Sequence, residues 1–369
     1  MQRINVIGPF RGASGYDRCT REFVREFVRA GIDVELTQLG GWSIDLPPGE
    51  REIWFERLSL PVDAQTILHF TMPSWARPKP GKRNMNFTMF EADRIPRSWV
   101  DCSSAFECIV LPTQSSFDAW RSSGVPERRL HICPLGVSDF FAQRAAPLAV
   151  TDREGKPVVS SRYRFLNIAE LRPRKNHLGL LRAWLRATTS DDDAILILKC
   201  DDSDALNQFF QDFACIQASL GRSLADAAPV VFLVGSLTDK QIRSLLNTAT
   251  HYISLSHGEG WDLVMMEAAV AGLDLIAPNH SAYSSYLRED EAVLIPATPV
   301  RAVLEGRTRS EDQVFFDGLS WWKPDEDAAV TLIRQIIRGH APVKDSPRER
   351  FLSEYSWANA TRRLIEIIQ

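Results

Sequence analysis

Two carboxylates stand eight positions apart in the stretch "SHGEGWDLVMMEAAVAG", residues 256–272. Glu259 lies between two glycines, whereas Glu267 is surrounded by leucine, valine, methionine and alanine. A buried carboxylate is unfavourable unless it is paired or hydrogen-bonded, and a pair of ligand hydroxyl groups would satisfy it. The alternative is a solvent-facing position on an amphipathic helix, but the apolar neighbours leave little polar face. The pattern therefore favours a ligand site.

The residues around the acid pair indicate how it would be positioned. "HYISLS" predicts a buried strand, and ligands of open α/β sheets bind beyond the carboxyl ends of strands. Gly258 and Gly260, in the loop that follows, let the backbone come close to a ligand. We predict that Asp262 caps the next helix and that Gly272 ends it. The second acid would then lie about two turns beyond the first.

Elsewhere the chain alternates short apolar strands with helical segments. The first half opens with the strand "RINVIGPF", a glycine-containing loop, a helix and the strand "IDVELTQL", which together predict a βαβ unit and a parallel sheet. The second half repeats the alternation from "RFLNIAEL" onward. We expect an α/β protein of two doubly wound domains with a cleft between them.

The domain boundaries follow from composition. An N-terminal domain is expected over 1–145 and a C-terminal domain over 160–345, because the proline-broken, polar segment 142–162 is typical of a linker. Residues 346–369 are expected to form a C-terminal helix that packs back on the first domain. Helices are predicted to start near Pro324 and Ser356.

Composition excludes several classes of protein. The net charge of −4 and the lack of a polybasic run argue against a nucleic-acid partner. The six cysteines are scattered without a CxxC pair, which argues against a zinc site or a disulfide scaffold and favours the cytoplasm. No signal peptide and no apolar run of about 20 residues is evident, which leaves open peripheral association with the inner face of a membrane.

Several stretches together resemble one known family. "EGWDLVMMEAAVAG" resembles the Glu-x7-Glu signature of retaining glycosyltransferases of family four. Other segments resemble that family in the same order along the chain: "NFTMFEADRIPRSW", "PTQSSFDAWRSSGVPERRLHICPLGV", "LRPRKNHLGLLRAW" and "YSWANA". Motifs in the right order are more specific than any one alone. The resemblance covers nearly the whole chain and implies the GT-B fold, two Rossmann-like domains facing a central cleft.

The resemblance also implies a role for each acid. The second glutamate of the signature holds the ribose hydroxyls of a sugar nucleotide, which maps onto Glu267, and the first contacts the donor sugar, which maps onto Glu259. The backbone at the helix start would face the donor phosphates; that segment comprises Gly260, Trp261, Asp262, Leu263 and Val264. A sugar would pass, with retention of configuration, from a UDP- or GDP-linked donor to a glycan, lipid-linked or other hydroxyl acceptor, as in polysaccharide biosynthesis.

A donor diphosphate needs positive partners. Arg174 and Lys175 follow the strand "RFLNIAEL" and precede a helix, so they are expected at a strand end beside the ligand, where charge-assisted hydrogen bonds to phosphate are their natural role. The alternative is a solvated loop. Arg172 and Lys199 are further donor-binding candidates. By the resemblance, Arg174 and Lys175 stabilise the leaving phosphate, and no metal or other cofactor is expected.

The loop "RGASGYDR" in the first half is a further phosphate candidate. Gly12, Ser14 and Gly15 stand where a strand gives way to a helix, so they could wrap a phosphate at a helix N-terminus. Their spacing does not match GxGxxG.

The acceptor side has three candidates in the first half. The branch that this chain resembles has a glutamate at the position of Glu91, which makes Glu91 a catalytic candidate. Asp93 lies in the same stretch, "FEADR". His69, in "LHF", is the weakest because a lone histidine at a strand end is more often structural.

Departures from the family pattern keep other functions open. Glu170 stands where many members have arginine, and Asp262 and Val264 replace glycine and proline. A catalytically weak GT-B protein that binds glycans or a partner subunit is one alternative, and a GT-B sugar phosphorylase or epimerase is another. Asp202 and Asp204 form a D-x-D triplet, which binds metal in a different glycosyltransferase fold, but acids after a strand more often cap the next helix.

Overall fold

The computed structural model describes residues 2–201, 205–303 and 315–369 of the 369-residue chain. The chain forms two compact units. The first combines Met1–Ser138 with Leu352–Gln369, and the second is Asp139–Phe351. The end of the chain therefore belongs to the first unit, although the whole second unit precedes it in sequence.

A six-stranded parallel sheet forms the centre of the first unit. The elements in chain order are β1 (Arg3–Gly8), α1 (Gly15–Arg29), β2 (Asp33–Gln38), β3 (Thr66–Phe70), β4 (Arg83–Phe87), α2 (Arg97–Ser103), β5 (Cys108–Leu111), α3 (Gln114–Ser122), β6 (Leu130–Ile132) and the C-terminal helix (Trp357–Ile368). The strands lie in the order β2-β1-β3-β4-β5-β6. The connections run in opposite directions from β1 and β3, which makes this pair the topological switch point of the sheet.

Aromatic packing holds α1 and the C-terminal helix on this sheet. The Phe23 ring of α1 lies 5.2 Å from Phe70 on β3, 5.3 Å from Phe87 on β4 and 5.3 Å from Trp357. Every residue of β3 is buried, as expected for a central strand of a parallel sheet with both faces covered. The C-terminal helix thus contributes to the core of the first unit.

The second unit has the same architecture. Its elements are β7 (Tyr163–Ile168), α4 (His177–Ala187), β8 (Ala194–Cys200), α5 (Leu206–Leu220), β9 (Val230–Val234), α6 (Asp239–Thr248), β10 (His251–Ile253), α7 (Leu263–Ala271), β11 (Asp274–Pro278), α8 (Tyr283–Tyr286), β12 (Ala292–Ile295), β13 (Ala297–Arg301), β14 (Ser320–Pro324) and α9 (Glu326–Ile337). A further helix, α10 (Arg348–Glu354), spans the boundary between the units. Six parallel strands lie in the order β12-β11-β10-β7-β8-β9, and β13 pairs with β14 antiparallel.

This order makes β7 and β10 the switch point of the second sheet. β8 and β9 lie on one side of β7, and β11 and β12 lie on the other side of β10. Loops that leave the carboxyl ends of two such strands diverge and form a crevice in which ligands of this class of fold bind. The loops after β7 and β10 contain the basic and acidic candidates of the sequence analysis.

The segment expected to link the domains packs on the second unit. The Leu148 amide donates to the Ser244 carbonyl at 3.2 Å and to the Thr248 hydroxyl at 2.9 Å. Val158 is almost fully buried. Although its composition is polar, apolar side chains anchor the segment, and the structure places the division at 138/139 rather than within 142–162.

The two predicted helix starts differ in outcome. Ser356 caps the C-terminal helix, since its hydroxyl accepts from the Asn359 amide at 3.2 Å, which confirms that prediction. The start near Pro324 is wrong by a short distance, because "SWWKP" is strand β14 and α9 begins at Glu326. Tryptophan favours strands, and the carboxylate of Asp325 supplies the cap. No helix in the described parts of the chain is long and apolar enough to cross a membrane.

Candidate functional site

The loops after β7 and β10 meet through a buried cluster of charges. The Lys175 ammonium lies 2.7 and 2.9 Å from the two carboxylate oxygens of Glu259, and the Arg174 guanidinium lies 3.2 Å from one of them. The Glu259 side chain is 5% exposed and the two cations are 17–18% exposed. The structure therefore brings together three of the residues singled out in the sequence, and we call them the charged triad.

The backbone holds the triad in place. Asn176 adopts a left-handed conformation (φ 52°), caps α4 by accepting from the Gly179 amide, and donates to the Leu255 carbonyl at 2.8 Å. The His257 amide donates to the Arg174 carbonyl at 2.7 Å. These bonds tie the β7 loop, which carries the two cations, to the β10 loop, which carries the acid.

The charges of the triad do not cancel. Burial alone would raise the pKa of Glu259, but the Lys175 ammonium and the Arg174 guanidinium outweigh burial and lower that pKa to about 2. Glu259 is therefore ionised at neutral pH, and two cations share one carboxylate. The three triad residues together carry one net positive charge in a largely dry environment, with the Asp262 carboxylate close by, and charge-assisted hydrogen bonds from such cations suit an anion.

Asp262 caps α7 from a strained backbone position. Its φ of 66° is unusual for a residue other than glycine, its side chain accepts from the Met265 amide at 3.2 Å, and the Tyr283 hydroxyl lies 2.7 Å from its other oxygen. Burial and then the Glu259 carboxylate raise its pKa to about 6. The predicted cap at Asp262 and the predicted end at Gly272, which has φ 87°, are both confirmed.

The first turn of α7 follows the charged triad directly. The amides of Leu263 and Val264 have no acceptor within their own helix, because the first amides of any helix lack one. Trp261 is buried, and its carbonyl accepts from the Tyr286 hydroxyl at 2.8 Å. Gly260 is buried between Trp261 and Glu259. The helix start thus adds partial positive charge beside the triad.

Glu267 lies inside the second unit. It is 3% exposed, so the prediction that this acid avoids solvent is confirmed. Burial raises the pKa of Tyr252 well above 10, and the negative charges of Asp262, Glu259 and Glu267 raise it further. All three carboxylates are therefore close enough to the Tyr252 phenol on β10 to affect its pKa.

Arg172 and Lys199 lie at the adjacent strand ends. Arg172 donates to the Glu170 carboxylate at 3.3 Å. Lys199 is next to Ile168 in the register of β7 and β8, and burial lowers its pKa despite the negative charge of Glu170. The Glu170 carboxylate is thus paired with Arg172.

The loop after β11 supplies residues that the sequence analysis missed. The Glu259 amide donates to the Ser281 hydroxyl at 3.1 Å, and the His280 ring lies 2.9 Å from the Ser256 carbonyl. Tyr283 contacts Asp262 as described above. β11 is the neighbour of β10 in the sheet. Since ligands of open α/β sheets bind beyond the carboxyl ends of strands, the segment "NHSAY" after the strand "LDLIAP" could have been predicted as part of the site.

Solved structures similar to this chain define its fold. The sucrose-phosphate synthase from Thermosynechococcus elongatus covers 100% of this chain and 98% of its own length, with TM-score 0.67 and 12% identity. Anabaena Alr3699/HepE in complex with UDP and glucose covers 99% of both chains, with TM-score 0.65 and 11% identity. The lipopolysaccharide outer core galactosyltransferase WaaB, in its apo form, covers 100% and 99%, with TM-score 0.56 and 12% identity. These are GT-B proteins.

The chain has the GT-B fold. The expected α/β architecture of two Rossmann-like, parallel-sheet domains is therefore confirmed. No protein-family model and no curated protein sequence matches the chain. At these identities the likeness shows the GT-B fold alone.

In the first GT-B domain, the glycine loop is already occupied by a side chain of the protein. The Gly12 amide donates to Asp17 at 2.7 Å, and the Ser14 amide donates to the other oxygen of that carboxylate at 3.2 Å. Asp17 is fully buried. The Asp17 carboxylate thus accepts from the two amides that were predicted to bind phosphate. Gly15 begins α1 and is exposed. The Ser14-x-x-Asp17 capping box was visible in the sequence.

His69 is part of the interior of the first domain. It is fully buried on β3, with its ring 3.2 Å from the Asn84 side chain and 5.6 Å from the Phe106 ring. Burial lowers its pKa to about 4, despite the hydrogen bond with Asn84. His69 therefore lies within a strand that is buried on both faces, as the structural alternative for a lone histidine predicts, and its acceptor-side role stays a prediction.

Glu91 and Asp93 lie in the loop after β4. Glu91 is partly exposed. Burial raises the pKa of the Tyr16 phenol, and the negative charge of Glu91 raises that pKa further. Asp93 pairs with its neighbour Arg94 at 3.3 Å near the surface. Among the described residues, no cluster of three potential metal ligands occurs, and the D-x-D triplet at Asp202 and Asp204 lies outside them.

Proposed function

We propose that this protein is a retaining glycosyltransferase that moves a sugar from a UDP- or GDP-linked donor to a hydroxyl acceptor such as a glycan or a lipid-linked sugar. The observation that carries the proposal is the charged triad, which lies beside the start of α7 at the switch point of the second domain. A buried cation pair next to free helix amides is the chemistry that recognises a diphosphate. Similar structures support it, since HepE was solved with UDP-glucose.

Each residue of the site has a distinct task in this proposal. Arg174 and Lys175 bind the diphosphate and stabilise the charge that develops on it as the sugar leaves. The amides of Leu263 and Val264 add hydrogen bonds to the same group. Glu267 accepts hydrogen bonds from the ribose hydroxyls. Glu259 orients both cations, in addition to the sugar contact that the family resemblance implies.

The transfer needs no covalent intermediate with the protein. The acceptor oxygen bonds to the anomeric carbon on the face from which the nucleoside diphosphate departs, the carbon–oxygen bond to phosphate breaks, and the acceptor proton passes to the departing phosphate oxygen. Glu259 is a poor nucleophile, because its two cationic partners keep its pKa near 2. We assign Glu91 to the hydrogen bonding of the acceptor hydroxyl.

Calorimetric titration with UDP, GDP and ADP tests the donor site. We expect one nucleotide to bind the wild type, and Glu267→Gln to weaken that binding about tenfold or more because an amide replaces the carboxylate that accepts the ribose hydroxyls. Glu289→Gln, an exposed change in the same domain, is the matched control. If none of the nucleotides binds the wild type, the proposal fails. If one binds, release of the nucleotide from its sugar conjugates and the anomeric configuration of the product test transfer and retention.

A second function is favoured by one observation. The Glu170 carboxylate stands where the family pattern has arginine, and it pairs with Arg172. This ion pair would weaken the binding of a phosphate by Arg172. A GT-B protein that binds a sugar nucleotide or a glycan without turnover would show this pattern. Binding of a nucleotide sugar with no release of nucleotide, in the presence of an acceptor panel, would favour this function over transfer.

A further inference from the structure

Three aromatic side chains cluster at the carboxyl edge of the first sheet. Tyr16 lies beyond β1, Trp42 beyond β2 and Trp75 beyond β3, which are three neighbouring strands. The Tyr16 and Trp42 rings are 4.8 Å apart at an interplanar angle of 64°, and the Trp42 and Trp75 rings are 5.6 Å apart at 80°. We call these three residues the aromatic wall. It spans β1 and β3, the switch point of this sheet.

The wall differs from the core aromatics of the same domain. Trp99 and Trp120 are almost fully buried, whereas all three wall residues are partly exposed. Because the three rings adjoin one another, they form one apolar surface rather than separate exposed residues, and aromatic surfaces of this kind line ligand sites. Partial exposure of three adjacent rings at a strand edge therefore marks a surface available to a ligand.

Hydrogen bonds fix the wall beside the acid of the acceptor side. The Tyr16 hydroxyl lies 3.2 Å from the Thr88 hydroxyl and accepts from the Met89 amide at 3.1 Å. Both partners belong to the loop after β4, two to three residues before Glu91. Gly41, with φ 77°, turns the chain so that Trp42 meets Trp75. Tyr16 is thus held against the loop that carries the Glu91 carboxylate, and Trp42 packs on Tyr16.

We propose that the aromatic wall is the platform for the pyranose ring of a saccharide acceptor. The carbon–hydrogen face of a pyranose is apolar and slightly positive, which suits the negative face of an indole, while its hydroxyls project from the edge toward hydrogen-bonding groups such as Glu91. The inference rests on the proposed transferase function and specifies its acceptor as a glycoside.

The test compares acceptor binding with nucleotide binding in the full-length protein. Methyl glucoside, methyl galactoside, methyl mannoside and methyl N-acetylglucosaminide serve as probes, and binding is followed by saturation-transfer NMR. We expect Trp42→Ala and Trp75→Ala to weaken the glycoside that binds by about tenfold and to leave UDP affinity unchanged. Trp54→Ala is the matched control, because Trp54 is also half-buried in this domain but stacks on Phe55 outside the wall.

The outcomes separate this inference from the proposed function. Loss of UDP affinity in Trp42→Ala would overturn it, because the wall would then serve the nucleotide. Glycoside binding that is unchanged in both wall variants, or detected only for glycosides with long alkyl chains, would also overturn it. If no nucleotide binds the wild type but a methyl glycoside binds in a Trp42-dependent manner, the transferase proposal fails and the saccharide site stands. Tyr16→Phe, which removes only the hydroxyl, should weaken binding less than either tryptophan variant.

Discussion

Replacing Asp262 by asparagine should stabilise the protein at neutral pH and leave it nearly unchanged in acid. Burial and the Glu259 carboxylate raise the pKa of Asp262 from 3.8 to about 6, although Lys175, the Tyr283 hydroxyl and the Met265 amide oppose the shift. The folded protein therefore loses stability as the pH rises from about 3.8 to about 6. In this interval the unfolded chain has already released the Asp262 proton, which the folded protein still holds.

The size of this effect follows from the shift. A difference of roughly two pKa units corresponds to about 3 kcal/mol, and the residual contact of Asp262 with water reduces it to about 2 kcal/mol. Asparagine has nearly the same shape, tolerates positive φ and caps helices as well as aspartate. The variant therefore removes the charge and keeps the cap.

Urea unfolding at a series of pH values between about 4 and 8 measures the effect. We expect the free energies of unfolding of Asp262→Asn and wild type to coincide near the acid end and to separate by about 2 kcal/mol, in favour of the variant, at the alkaline end. Asp325→Asn is the control, since Asp325 caps α9 in the same domain but is exposed. A difference for Asp262→Asn that does not change with pH would refute the reasoning.

Two further predictions concern stability. Glu259→Gln leaves two largely buried cations without their shared anion and should lower the free energy of unfolding by about 3 kcal/mol at neutral pH. This difference should fade as the pH falls from 4.5 toward 2, because the wild-type carboxylate is then protonated. Asp327→Asn, at an exposed ion pair, is the control and should change the free energy of unfolding by less than about 1 kcal/mol, so equal effects of the two variants would contradict the role of burial. Gly136→Ala would put a methyl group 2.5 Å from the Trp357 amide nitrogen and should lower the free energy of unfolding by about 2 kcal/mol or more. Limited proteolysis should then cut the C-terminal helix faster than in the control Gly49→Ala, whose methyl group meets no neighbour. Equal resistance of the two variants to the protease would argue against the contact between Gly136 and Trp357.

Sequence periodicity was enough to predict the class of the fold and the local form of the donor loop. Apolar runs that alternate with amphipathic segments identify parallel sheets, and Asp262 and Gly272 mark the ends of α7 because capping depends on residues close in sequence. The burial of Glu267 was predictable from its apolar neighbours for the same local reason.

The contacts between loops were not predictable in this way. Arg174 and Lys175 meet Glu259 because β7 and β10 are adjacent in the sheet, and the order of strands leaves no trace in local sequence. His69 illustrates a related limit: in a strand covered on both faces, alternation does not show which residues reach the edge. The glycine loop shows another limit, since the same residues fit both a phosphate loop and the capping box that Ser14 and Asp17 form.

The C-terminal helix has a consequence for how the protein is made. The amide of Val137 donates to the Tyr355 carbonyl at 2.7 Å, and the Cys133 thiol lies 3.3 Å from the Ala360 carbonyl, so residues that follow the second domain complete the domain that precedes it. Nascent chains usually fold domain by domain from the N-terminus. Here residues 139–351 are available in full while the first domain still lacks a core helix. The second domain can therefore reach its native state before the first. A chain that is cut within the C-terminal helix would still contain the whole second domain, but its first domain would lack part of its core.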